Sequence, residues 1–217
     1  MKDINIVLPI KDPTNAKERL SSLLTSEQRR ALALLLIEQT LAFFKDFTSI
    51  ANILVVTDSD RVAGRAEEEG YSVLREETAE GETAAVEKAT RWSVEHGFRS
   101  QVVIPGDMAE LDAAEIRRLL TQDRPDPSVI LCPATGDDGT NAIMTTPPDV
   151  LRFRFGDRSF PDYVEKARDK GVPCFIVRLD SLVLDLDTPD DVRALLRNGR
   201  NAALKKVLEE WDIPRKL

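Results

Sequence analysis

Histidine occurs once in the 217 residues and cysteine twice. A single histidine, His96, rules out a multi-histidine zinc site and argues against a histidine-based triad. It falls in VEHGF at the end of a helical pattern, where a charged imidazole suits the helix dipole. Cys132 and Cys174 are too few and too far apart for a disulfide scaffold or a cysteine-rich metal site, and they read as reduced core thiols of a cytoplasmic protein. Long apolar runs are missing too. The longest, ALALLLI at 31–37, is far short of the ~20 residues that span a membrane, and the opening MKDINIVLPI becomes strand-like at once, without the layout of a signal peptide. Glycine is absent where nucleotide motifs need it: there is no G-x-x-x-x-G-K-[ST] and no G-x-G-x-x-G, so a Walker loop and a dinucleotide fingerprint are both excluded. Positive charge is outnumbered, with 30 Lys and Arg against 38 Asp and Glu and a net charge of −8. Nucleic acid and anionic membranes are poor partners for such a chain, whereas a small anionic ligand needs only a local basic cluster or a metal ion.

What is present is alternation. Short apolar runs at 4–10, 52–57, 71–74, 101–104, 128–132 and 141–145 read as strands, with further strand-like runs at 174–179 and 182–186. Helical patterns separate them at 26–45, 60–69, 82–95, 113–120 and 162–170, followed by 190–197 and 201–211. Thr25 or Ser26 and Asp112 are the expected N-caps. The alternation predicts one α/β domain: a mostly parallel central sheet with right-handed crossovers and helices on both faces. The 26–45 and C-terminal helices each offer a face that core packing or a homodimer could cover.

Ligands of open parallel sheets bind beyond the carboxyl ends of the strands. Asp107, in VVIPGDMAE, stands just past such an end, with Gly106 expected to allow a sharp turn. It suits a hard cation or a simple turn cap. In LVLDLDTPDD, Asp185 and Asp187 are two apart and in an extended segment point the same way. Together with Asp107 they would suit Mg²⁺, which takes carboxylates and substrate phosphates; Asp187 or Thr188 is alternatively a helix cap, with Asp190 and Asp191 as first-turn acids. After the first strand, PIKDPTNAKERL carries Lys11, Lys17 and Arg19, placed for phosphates or simply solvated. GDDGTNAI brings a Gly136–Gly139 loop to Thr140 and Asn141, and FRFGDRSF offers Gly156 and Ser159 to an anion near a helix start, with Phe153, Phe155 and Phe160 packing that loop down.

These stretches in this order — PIKDPTNAKERL, GDM, DDGTNA, PPDVLRFRFGDRSF, LDLDTPDDV — resemble the 2-phospho-L-lactate or phosphoenolpyruvate guanylyltransferases of deazaflavin coenzyme biosynthesis, over nearly the whole chain. The resemblance implies a Rossmann-like nucleotidyltransferase domain similar to glycosyltransferase A-type proteins. It implies transfer of GMP from GTP to a small phospho-carboxylate, with Mg²⁺ on Asp107, Asp185 and Asp187. Thr140, Asn141, Gly156 and Ser159 would bind the acceptor. Lys11, Lys17 and Arg19 would meet the triphosphate, and GETAAVEKA, with Gly81 and Thr83, would lie near the guanine. The chain departs from the pattern at Met108-Ala109, at Thr83 where asparagine is usual, and at Asp157-Arg158. Another nucleotidyltransferase, of cytidylyl or sugar-phosphate type, and a non-catalytic nucleotide-binding protein are the alternatives; the acceptor itself is open among phosphoenolpyruvate, 2-phospholactate and 3-phosphoglycerate.

Overall fold

The computed structural model describes residues 2–78, 80–134, 138–156, 158–182 and 184–217. Seven strands form one sheet: β1 (Ile4–Pro9), β2 (Asn52–Thr57), β3 (Ser72–Arg75), β4 (Ser100–Val103), β5 (Ser128–Pro133), β6 (Thr140–Thr146) and β7 (Cys174–Ile176). Their order is β3-β2-β1-β4-β6-β5-β7. Only β6 runs against its neighbours. Its reversal brings the start of β6, at Thr140, to the same rim as the carboxyl ends of β1 and β4.

The strands in the middle are apolar on both sides because helices cover both faces. Along β1, Ile6 and Leu8 enter one core and Val7 the other. The first core packs against α1 (Ser26–Phe44), α2 (Asp60–Glu68) and α4 (Ala113–Thr121); the second packs against α3 (Glu82–Glu95) and α5 (Ser159–Asp169). A third cluster joins Leu32 and Leu36 of α1 to α6 (Pro189–Asn198) and α7 (Ala202–Glu210) through Leu195, Leu204 and Leu208. The apolar faces of α1 and α7 that a second copy could have covered are therefore occupied within the chain.

Local chemistry starts the helices where the sequence indicates. Thr25 forms a capping box with Gln28, and Asp112 accepts from the N–H groups of Ala114 and Glu115. Two expectations need correction. The 162–170 helix begins earlier, at Ser159, because Arg158 takes a left-handed conformation there. The strand expected at 182–186 is not found among the described residues: a 3-10 turn covers Asp180–Leu182, and no strand is present in residues 184–217. The alternation of Leu184, Asp185, Leu186 and Asp187 is nevertheless real. Leu186 is buried and the acids face outward, so the pattern reports one-sided burial rather than a ladder. Both cysteines are free, and no helix among the described residues is long and apolar enough to cross a membrane. His96 is exposed at the end of α3 and stacks on Trp92.

Candidate active site

A cleft of about 700 Å³ opens along the rim formed by the ends of β1, β2 and β4 and the start of β6. Two segments deliver three converging acids to it. Asp107 comes from the turn after β4, and Asp185 and Asp187 from the segment leading into α6. Their carboxylate oxygens lie within 4.8 Å of one another. Lys17 sits among them, its Nζ 2.6 Å from Asp107, 2.8 Å from Asp187 and 3.7 Å from Asp185. Its side chain is only 3 % exposed, whereas the three acids keep 35–52 % of theirs open to the cleft.

Burial alone would lower the Lys17 pKa, but Asp107, Asp187 and Asp185 outweigh it and hold the ammonium well above its ordinary value. Loss of solvent raises the Asp185 carboxyl to about 7 even though half its surface faces the cleft; Lys17 pulls it back, and Asp107 and Asp187 push it further up. Lys17 has a left-handed backbone, with φ 56°, where a non-glycine residue costs about 1–2 kcal/mol. The three ion pairs keep it there.

The supports of these groups are as specific as the groups themselves. Gly106 does not adopt a positive φ; a Cβ there would meet Ile10 Cγ1 at 2.1 Å, so glycine is needed for close approach of two loops rather than for the turn expected from sequence. Thr188 caps α6. Asp191 accepts from the N–H groups of Asp187 at 3.1 Å and Thr188 at 2.6 Å, which makes it more than a first-turn acid, since it fixes the backbone of Asp187. The 180–182 turn is tied down at two points: Glu115 accepts from the N–H groups of Asp180 and Ser181, and Asn141 Nδ2 donates to the Leu182 carbonyl.

The predicted site residues mostly converge. Lys11, Lys17, Arg19, Gly81, Thr140, Asn141, Gly156 and Ser159 all line the cleft with the three acids. Ser159 Oγ donates to Thr140 Oγ1 at 3.2 Å, joining α5 to β6. Gly156 has φ 106° and Gly81, the N-cap of α3, has φ 100°, both accessible to glycine without strain. Lys11 and Arg19 are exposed along the same wall. Gly136 and Asp157, singled out from sequence, lie outside the described residues.

Thr83 is placed differently from the expectation. It is not among the cleft-lining residues; its hydroxyl accepts the Phe155 N–H at 3.1 Å and stitches α3 to the 153–156 loop. Its neighbour Glu82 faces the cleft instead. Burial raises the Glu82 carboxyl to about 7; Asp107 and Asp185 push it the same way and Lys11 opposes them. Sequence reasoning passed over Glu82 because an acid in the first turn of a helix is ordinary. The phenylalanines behave as expected: Phe153 is buried and Phe155 packs beside it in the second core.

With this geometry in place, the profile of the family described as "Guanylyl transferase CofC like" matches residues 4–214. The chain belongs to that family. A 3-phospho-D-glycerate guanylyltransferase from Colwellia psychrerythraea is 47% identical over 205 residues, which is 94% of this chain and 97% of the relative. A phosphoenolpyruvate guanylyltransferase from Rubrobacter xylanophilus is 29% identical, covering 89% and 93%. A 2-phospho-L-lactate guanylyltransferase from Methanothermobacter thermautotrophicus is 27% identical, covering 94% and 90%. Among solved structures, a nucleotidyl transferase from the same Methanothermobacter species superposes with a TM-score of 0.62 at 16% identity, covering 94% of this chain and 98% of that one. A cytidylyltransferase from Leptospira borgpetersenii gives 0.57 at 15%, covering 100% and 97%; at such identities the likeness speaks for the fold. The family is one of nucleotidyltransferases, and the Rossmann-like architecture expected from sequence is the one observed.

Proposed function

We propose that this guanylyltransferase joins GMP from GTP to the phosphate of a small phospho-carboxylate — 3-phosphoglycerate, phosphoenolpyruvate or 2-phospholactate — and releases pyrophosphate, in biosynthesis of a deazaflavin coenzyme. The observation that carries this reading is the convergence of Asp107, Asp185 and Asp187 on one rim beside Lys17, inside a cleft large enough for two anionic ligands.

An ionised phosphate is already a nucleophile. One of its oxygens attacks the α-phosphorus of GTP, the bond from that phosphorus to the β-bridging oxygen breaks, and pyrophosphate leaves with the electron pair. No proton needs to be removed, which suits a chain whose one histidine is exposed at the end of α3. What the protein must do is bring two anions together in line and neutralise them.

The three carboxylates fit a divalent cation. They are hard oxygen donors within 4.8 Å of each other, and they already gather one positive charge in the Lys17 ammonium. Asp107, Asp185 and Asp187 would hold Mg²⁺, which when bound supplies charge neutralisation at the transferring phosphate. Lys17 contributes a fixed charge beside the same phosphate, and Lys11 and Arg19 bind the triphosphate along the cleft wall. Gly81 opens α3 toward the nucleotide. Thr140, Asn141, Gly156 and Ser159 hold the acceptor, with the Thr140–Ser159 hydrogen bond keeping the two hydroxyls in one place.

The test is pyrophosphate release from GTP with Mg²⁺, each acceptor offered separately beside a control without acceptor. Release that depends on one of the three is the expected result. Absence of release with all three, from folded protein, overturns the reading.

A further inference from the structure

Of the cleft-lining acids that the reaction described above does not use, Asp12, Asp58 and Glu76 each accept a hydrogen bond from a neighbouring segment or side chain, and Glu82 is left over. It opens α3, directly after Gly81, and faces the same space as Asp107 and Asp185. Unlike the triad, it has no hydrogen bond or ion pair within the described residues. A first-turn acid serving only the helix dipole would be solvated and would keep an ordinary carboxylate pKa. Glu82 is instead half-buried in the cleft wall, and loss of solvent raises it to about 7.

Gly81 is assigned to the nucleotide, and from Glu82 onward α3 meets the loop assigned to the acceptor. The next residue, Thr83, is bonded to the Phe155 N–H at 3.1 Å, and Glu87, further along α3, accepts the Phe153 N–H at 2.9 Å. The start of α3 is thereby fastened to the loop that carries Gly156 and leads to Ser159. Tyr163 of α5, whose hydroxyl accepts the Arg154 N–H, lies close enough to feel the Glu82 charge. Glu82 thus stands between the acid triad and the loop assigned to the acceptor.

A carboxyl beside Asp107 and Asp185 repels the phosphate and carboxylate of an acceptor. The group it suits is neutral and able to hydrogen-bond. A hydroxyl qualifies in either protonation state of Glu82, since it can both donate and accept. The three acceptors differ on this point. 3-Phosphoglycerate carries a free hydroxyl beside its carboxylate. Phosphoenolpyruvate presents a methylene there and 2-phospholactate a methyl, and either would leave the carboxyl half-buried and unpaired. We propose that Glu82 is the specificity residue of this site and selects an acceptor with a free hydroxyl, the chemistry of 3-phosphoglycerate, over one without. This rests on the guanylyl-transfer reading and narrows it.

Sites built to hydrogen-bond a substrate hydroxyl reject the analogue lacking it by as much as about 10⁴-fold. The experiment compares kcat/KM for 3-phosphoglycerate, phosphoenolpyruvate and 2-phospholactate, with GTP and Mg²⁺, in the native protein, Glu82→Leu and Glu82→Gln. The native protein is expected to favour 3-phosphoglycerate. Glu82→Leu should lower the 3-phosphoglycerate to phosphoenolpyruvate ratio by at least about tenfold, and Glu82→Gln, whose amide oxygen still accepts, should fall between. If Glu82→Leu does not fold, Glu82→Gln still decides, by a ratio that moves or does not. A ratio unmoved in both variants, or a parallel loss with all acceptors through a raised KM for GTP, overturns the assignment. Native protein that prefers phosphoenolpyruvate or 2-phospholactate overturns it while leaving guanylyl transfer intact. No release with any acceptor overturns both.

Discussion

Lys17 and the carboxylates around it set the energetics of the site. Without a bound cation the three acids repel one another, and the Lys17 ammonium is what makes their proximity tolerable. Removing one partner of a buried ion pair costs about 3–5 kcal/mol. Here the acids are 35–52 % exposed, so Lys17→Met should cost less, on the order of 1–3 kcal/mol. The variant should also regain more thermal stability from added Mg²⁺ than the native protein does, since the metal then supplies the missing charge; melting temperatures with and without Mg²⁺ read this directly. Asp107→Asn removes one negative charge from the cluster but keeps the turn. It should fold normally and lose at least about a hundredfold in pyrophosphate release. A folded variant with native turnover would remove Asp107 from the machinery.

At the scale of single elements, α6 matters as much for how it starts as for what it packs. Its capping box joins Thr188 to Asp191, and the same Asp191 carboxylate accepts the Asp187 N–H. Asp191→Ala should cost about 1 kcal/mol, as loss of a cap usually does, and should also raise the Mg²⁺ concentration needed for half-maximal activity. A Tm scan and a Mg²⁺ titration of activity separate the two effects. Gly106→Ala places a methyl on Ile10 and should cost about 1–3 kcal/mol, visible as a lowered denaturation midpoint. These elements also show what sequence alone can reveal. Thr25, Asp112 and Thr188 announce their helices because caps are local chemistry. Periodicity finds the seven strands for the same reason. What it mistakes, the 182–186 run, has one buried side and no partner strand among its described residues, and periodicity is blind to partners. The role of Thr83 was hidden for a similar reason: the Phe155 N–H it binds is 72 positions away.

Across the whole molecule, titration and assembly follow from the cleft. Glu82 and Asp185 each bind a proton more tightly in the folded chain than in the unfolded one, with values of about 7 against ordinary values of 4.5 and 3.8. Folding therefore takes up protons across this window. Their contribution is most favourable below the ordinary carboxylate range and is lost as pH rises through about 7. Glu115 and Asp12, which are lowered, act below that window. In the absence of divalent ions the melting temperature should decline between about pH 5 and 8, and Glu82→Gln should flatten the decline. The sheet and the candidate acids were legible in the sequence because each motif sits at a strand end. Lys17 as the hub was not, since its partners are 90 and 170 positions away. That separation has a consequence for folding order. Local helices can form early, but the Lys17 cluster can close only when the first, middle and last thirds of the chain have met, making it a long-range contact of the slow kind. Conversely, if α6 and α7 peel away in a local opening, two of the three acids leave with them. A ligand that bridges the acids should therefore slow amide exchange in α6 and α7, far from any atom it touches, and the C-terminal helices would report whether the cleft is filled.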